Sequence, residues 1–135
     1  MPLRFRIDHN RRLVMARGYG VLTHQQIFRY QHEVWSNPEV DGYNELLDFT
    51  DVTKIDLPSG EKIQELAELA SDMDNPFTPS KFAIVAPGDE AFGVGRMYQT
   101  YRGLMAKGTK TVGVFRSQAE AFDFLGIQEE PDEDE

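Results

Sequence analysis

One succession constrains this chain more than any other: a short apolar run, a polar turn-rich passage, then apolar residues at helical spacing. Its clearest instance is Glu45 to Gly60, ELLDFTDVTKIDLPSG. Leu46, Leu47 and Phe49 form the run, and Asp48 interrupts it. Asp51, Thr53 and Asp56 mark a polar stretch that reads as a loop, and Ser59-Gly60 open a helix with apolar positions at Ile63, Leu66, Ala67, Ala70 and Met73. A run too short for a helix beside a 3.6-residue periodicity reads as buried strand, loop and helix. A chain that repeats this unit builds a parallel sheet with crossover helices.

The unit does repeat. Lys81–Ala86 (KFAIVA) is a second buried run, closed by Pro87-Gly88, with Asp89 as N-cap of a helix that places Val94, Met97, Tyr101, Leu104 and Met105 on one face and ends near Gly108. Lys110–Phe115 is a third run, and Ser117 with Glu120 forms a capping box before a helix stopped by Gly126. Ahead of these, Leu3, Phe5 and Ile7 alternate with Arg4, Arg6 and Asp8 as in an edge strand, and His9-Asn10 turns the chain into the apolar run Leu13–Ala16. Gly18 and Gly20 are expected to let the chain leave the sheet, and Thr23 with Gln26 caps a first helix running to about Trp35. The order is β-β-α-β-α-β-α-β-α, a mostly parallel five-stranded sheet with an antiparallel first strand at its edge.

The phrase Leu47-Asp48-Phe49-Thr50-x-Val52-Thr53-x-Ile55-Asp56, followed by Ser59-Gly60, resembles the core of the STAS superfamily, typified by SpoIIAA-like anti-sigma-factor antagonists. In that family a similar strand leads to an Asp-Ser-x-Gly turn whose serine caps the next helix and accepts a phosphate. Here Leu57-Pro58 stand between Asp56 and Ser59, so the serine falls later than the family's phosphoacceptor. The stretch from Phe82 to Met97, around the phrase IVAPGDEAFGVGRMY, is also similar to a broad group of uncharacterised bacterial STAS-like proteins. The resemblance spans about Leu3 to Gly126 and implies a SpoIIAA-like fold, with no settled activity.

Composition narrows the function classes. The 135 residues, 40% of them hydrophobic, suffice for one domain with its own core, expected over residues 1–127. Without cysteine there is neither disulfide, thiolate metal site nor cysteine nucleophile. No stretch approaches the roughly 18 apolar residues of a membrane span, and the charged start MPLRFRIDHNRR is unlike a secretory signal, so a cytoplasmic location is expected. The net charge is −9, but six negative charges lie in residues 129–135, which leaves −3 for the rest. Residues 128–135 are therefore expected as a disordered acidic tail. Nucleic acid is not an expected ligand, because the only basic cluster, Arg4, Arg6, Arg11 and Arg12, is short.

Ligands of open parallel sheets gather beyond the carboxyl ends of the strands. That edge is expected to collect Thr50, Asp51, Thr53, Asp56, Ser59 and Gly60, then Pro87, Gly88, Asp89 and Glu90, then Arg116 and Ser117. A phosphate on Ser59 would meet unpaired amides and the positive end of the helix dipole. Ser59 as a plain N-cap worth about 1 kcal/mol explains the same residue. Asp51, Asp56, Asp89 and Glu90 could serve magnesium, although no ligand spacing singles them out. Asp48 either faces a polar pocket or is satisfied by a backbone donor. Gly93-Val94-Gly95 lacks the third glycine of a dinucleotide fingerprint and reads as a point of close helix packing. Arg96 is a candidate anion contact or a salt-bridge partner.

His9, His24 and His32 stand apart from Ser59, so no catalytic triad is indicated. The expectation is a non-enzymatic STAS-like module without cofactor or metal that binds a protein partner through Asp51–Gly60, with phosphorylation near the second helix as a possible switch. Excess apolar residues on the third helix suggest a homodimer surface. The alternatives are a small-ligand or lipid-binding protein of the CRAL-TRIO-like type, with a cavity between the third helix and the sheet, and a magnesium-dependent phosphoryl-transfer enzyme.

Overall fold

A computed structural model describes residues 3–56, 59–105 and 108–128. The acidic segment 129–135 and the pair Leu57-Pro58 lie outside the described residues. The strands are β1 (Leu3–Asp8), β2 (Leu13–Thr23), β3 (Asn44–Asp56), β4 (Ser80–Val85) and β5 (Lys110–Phe115). The helices are α1 (His24–Trp35), α2 (Gly60–Met73), α3 (Asp89–Gly103) and α4 (Gln118–Leu125). The sheet order is β1-β2-β3-β4-β5; β1 pairs with β2 antiparallel and every other pair is parallel.

Strands laid down in sequence order through right-handed crossovers place their helices on one face. Side-chain packing bears this out. Val14 and Ala16 of β2, Leu47 and Phe49 of β3, Phe82 and Ile84 of β4 and Val112 of β5 share one core with Ile27 and Tyr30 of α1, Ile63 and Leu66 of α2, and Ala91 and Tyr98 of α3. The alternate residues Leu13, Leu46, Ala83 and Val85 turn to the other face and pack under Ala121, Phe122 and Leu125 of α4. That smaller helix lies mainly over β4 and β5. The opposite face of β1 and β2 is left beside it.

The first expected capping box forms in full, and the second only through its serine. Thr23 and Gln26 exchange hydrogen bonds at the start of α1, Ser117 Oγ accepts from the Glu120 amide at the start of α4, and Gly126 ends α4 in the left-handed conformation.

Three expectations need correction. First, β2 does not leave the sheet at Gly18 and Gly20 but continues to Thr23, with register shifts between Arg17 and Tyr19 and between Gly20 and Val21. A Cβ on Gly18 would lie 2.8 Å from Val52 Cγ2, and Gly20 has a φ of +65°. The glycines thus permit a close crossing and a bulge, after which pairing resumes. Second, Asp51–Asp56 is no loop: Tyr19, Gly20, Val21, Leu22 and Thr23 pair with Asp51, Val52, Lys54, Ile55 and Asp56. Third, α3 buries Ala91, Gly95, Tyr98 and Arg102, whereas Met97 and Leu104 of the expected core stripe are 43% and 74% exposed. Its N-cap is Gly88, and Asp89 is its first residue.

Candidate functional site

Pairing between β3 and β4 stops at Asp48 and Val85, while pairing between β2 and β3 runs on to Thr23 and Asp56. Tyr19–Thr23 of β2 and Asp51–Asp56 of β3 therefore form a two-stranded ribbon that outruns the rest of the sheet. Thr50, Asp51, Thr53, Lys54 and Asp56 are exposed on it, and the apolar Val21 is 51% exposed. At its far end the paired residues Leu22 and Ile55 are buried. Two edge amides already have acceptors: Thr50 donates to Asp48 Oδ1, and Ile55 donates to Glu90 Oε1 at 3.4 Å.

The start of α2 lies close to α3. A Cβ on Gly60 would be 3.4 Å from Tyr101 Oη and 3.9 Å from Met97 Sδ. Ser59 is the exposed N-cap of α2 in an extended conformation, and its side chain makes no capping hydrogen bond. Its hydroxyl is therefore uncommitted within the helix it opens.

The expected site residues divide into groups. Thr53, Asp56, Ser59 and Gly60 belong to the ribbon end and the helix that follows it. Asp51 instead turns toward Arg17, whose Nη1 lies 3.8 Å from its Oδ2. Asp89 pairs with Arg116 at 2.8 Å, and the same guanidinium donates to the Pro87 carbonyl. Arg96 is exposed and stands over the Phe92 ring, 6.0 Å from its centroid, with no carboxylate partner among the described residues. Among those residues no three His, Asp or Glu side chains converge as a metal site would require.

Asp48 satisfies both readings of it. It is only 3% exposed; Oδ1 accepts from the Thr50 amide and hydroxyl, and Oδ2 from Arg17 at 3.1 Å and Gln118 at 3.2 Å. It floors a groove of about 380 Å³ between β1, β2 and α4, rimmed by Arg4, Arg6 and Arg17.

A buried polar network at the opposite end of the strands escaped the sequence reading. Glu45 accepts from Tyr30 Oη at 2.8 Å and from Trp35 Nε1 at 3.2 Å. Lys110 lies over the Trp35 ring and donates to the Tyr43 carbonyl and Ser80 Oγ. Burial pushes the Glu45 carboxyl above its ordinary range despite the pull of Lys110, Tyr30 and Arg102. Burial likewise lowers the Lys110 ammonium against the opposing attraction of Glu45 and Asp74. Nearby, Arg102 forks onto Asp74 with bonds of 2.8 and 3.1 Å and also donates to Ser71 and Tyr98. Burial pushes the Tyr98 phenol up to about 12. The Asp74 carboxylate in turn receives the amides of Thr109 and Lys110, so the network ties the ends of α2 and α3 to the start of β5. The available signal was inward phase: Glu45 alternates with Leu47 and Phe49 on the helix-covered face.

Between α1, α2, α3 and the sheet lies a cavity of about 40 Å³ lined by residues such as Ile27, Leu66, Ile84 and Tyr98. Ligand pockets run from about 300 Å³ upward. The cavity expected of a lipid carrier is thus an order of magnitude too small. Among the described residues, no helix is long and apolar enough to cross a membrane.

No family model matches the chain, and no curated protein matches it. Among solved structures, it is similar to an uncharacterised protein of the DUF3478 family with a SpoIIAA-like fold from Shewanella loihica PV-4. The two are 15% identical, superpose with a TM-score of 0.59, and align over 91% of this chain and 93% of the other. The chain has a SpoIIAA-like α/β fold, as the order of strands and helices and the STAS-like phrase around Asp48 implied.

Proposed function

We propose that this protein is a non-enzymatic STAS-like module that binds another protein, with the β2–β3 ribbon and the start of α2 as its recognition surface. One observation carries the reading: Thr50, Asp51, Thr53, Lys54 and Asp56 of β3 lie beyond its last pair with β4 and are exposed on a ribbon whose strand partner is β2. A ribbon with Val21 paired to Lys54 and followed by Asp56 combines an apolar contact with charges that select a partner.

Phosphorylation of Ser59 is a subordinate part of the proposal. The hydroxyl is exposed at a helix N-terminus, where a phosphate dianion is electrostatically favoured. A homodimer through the outer face of α3 is compatible with the exposure of Met97 and Leu104. Sedimentation equilibrium of the native chain against Met97→Glu tests it, and a native chain that stays monomeric at high concentration refutes it.

The test of the main reading is recovery of the tagged protein from its own host, followed by mass spectrometry of the intact chain and its companions. The native chain is compared with Val21→Asp and Lys54→Glu on the ribbon and Arg29→Glu on α1. A companion retained by Arg29→Glu and lost from both ribbon variants is the expected result. A companion retained by the ribbon variants contradicts the assignment of the surface.

A further inference from the structure

The groove between the β1–β2 edge and α4 is the feature the proposed function leaves unused. Arg17 is committed to Asp48 and Asp51. Arg4 and Arg6 have no carboxylate partner among the described residues: Arg4 stands over the Tyr19 ring at 5.3 Å, and Arg6 reaches only Met15 Sδ at 3.9 Å. Two exposed guanidinium groups thus rim a trough floored by Met15, Leu46, Phe122 and Asp48, whose carboxylate is already engaged by Arg17, Thr50 and Gln118. Such a trough accepts an extended chain carrying carboxylates, because guanidinium groups bind them in forked pairs and the arginine stems cover apolar contacts.

The chain carries such a segment, and its start is placed beside the groove. Residues 129–135 read EEPDEDE, with six carboxylates. They follow Gln128, whose carbonyl accepts from Arg11 Nη1 at 3.3 Å, at the turn that joins β1 to β2. From that turn the groove runs up β1 past Arg6, paired with Met15, to Arg4, paired with Arg17. Asp8 to Arg4 is a rise of about 13 Å, and seven extended residues span about 23 Å. The segment therefore starts at the lower end of the groove, is long enough to fill it, and carries the opposite charge.

We propose that residues 129–135 occupy the Arg4–Arg6–Arg17 groove of their own chain, covering a site for acidic extended peptide. A tethered segment competes at the high effective concentration that a short linker gives, so an acidic partner would have to displace it.

Phenylglyoxal labelling of the full chain, read arginine by arginine by mass spectrometry, tests this. The comparison is a full-length variant with the six carboxylates of 129–135 changed to amides, with exposed Arg29 and Arg96 as internal references. Arg4 and Arg6 are expected to react about threefold or more faster in the variant and in the native chain at about 1 M salt, where the Debye length shrinks to about 3 Å. The references should be unchanged between variant and native chain, and native protection should survive dilution. Equal labelling of Arg4 and Arg6 in the two chains overturns the proposal. Protection that disappears on dilution also overturns it, because the occupant would then be the segment of another copy.

Discussion

Replacing Arg102 with methionine removes a charge from the most deeply buried ion pair described in this fold. The Arg102 and Asp74 side chains are 2% and 3% exposed, and two parallel hydrogen bonds join them. Arg102→Met keeps much of the side chain's bulk but leaves the carboxylate with only the Thr109 and Lys110 amides as donors. It also strips a donor from Ser71 and from Tyr98. Removing one partner of a buried pair costs about 3–5 kcal/mol, mostly through the charge left behind. With a slope of about 1–3 kcal/mol per molar urea, the unfolding midpoint should fall by about 2 M. Adding Asp74→Asn removes the stranded charge, so the double variant should lose less than the sum of the single losses. Urea unfolding of the four proteins of this cycle is the assay. A loss below about 1 kcal/mol for Arg102→Met, or strict additivity, would refute the reasoning, since it would mean that water replaces the arginine at little cost.

Four further outcomes follow from the geometry. Gly93 faces open space in α3, whereas a Cβ on Gly95 would stand 3.0 Å from Val114 Cγ1; Gly93→Ala should stabilise by up to about 1 kcal/mol and Gly95→Val should destabilise by about 1–3 kcal/mol in thermal unfolding. Because the folded Glu45 carboxyl lies above its ordinary value of 4.5, its contribution to stability is full below that pH and is lost as pH rises through the folded value. Glu45→Gln should therefore gain on the native chain from acid to neutral pH in denaturant titrations, and a constant difference would contradict the shift. Titration with a fluorescent fatty acid should give no saturable uptake, since the internal cavity holds about 40 Å³; saturation with release by unlabelled fatty acid would overturn that conclusion. Ser59→Asp should retain the native circular dichroism and melting point, because a carboxylate at a helix start is favourable by about 0.3–1 kcal/mol, while altering affinity for the captured partner.

The fold was legible because its signals are local and agree with one another. Short apolar runs, capping residues at Thr23 and Ser117, and the αL glycine at 126 mark nearly every boundary. The ribbon was not legible, because polarity has two causes. Asp51–Asp56 is polar because much of it meets solvent beyond β4, and a projecting ribbon and a loop leave the same trace in composition. The buried face of α3 was misread for a related reason: it runs through Gly95 and Arg102, one chosen for close approach to Val114 and the other paired with Asp74. Hydrophobic periodicity therefore selected Met97 and Leu104 instead. Asp48 could be singled out by its place inside an apolar run, but its partners Arg17 and Gln118 come from distant segments that only the fold unites. Of the expected site residues, Thr53 and Asp56 lie on the ribbon and Ser59 and Gly60 at the start of α2, while Asp51, Asp89 and Arg96 have separate surroundings.

Hydrogen–deuterium exchange of the native chain, alone and with its captured partner, tests the protein-binding reading most directly. Binding through the ribbon should slow exchange in residues 19–23 and 49–56 and at the start of α2, with the buried β4 amides unchanged. Protection confined to the α4 face, or no local protection at saturating partner, would contradict the account.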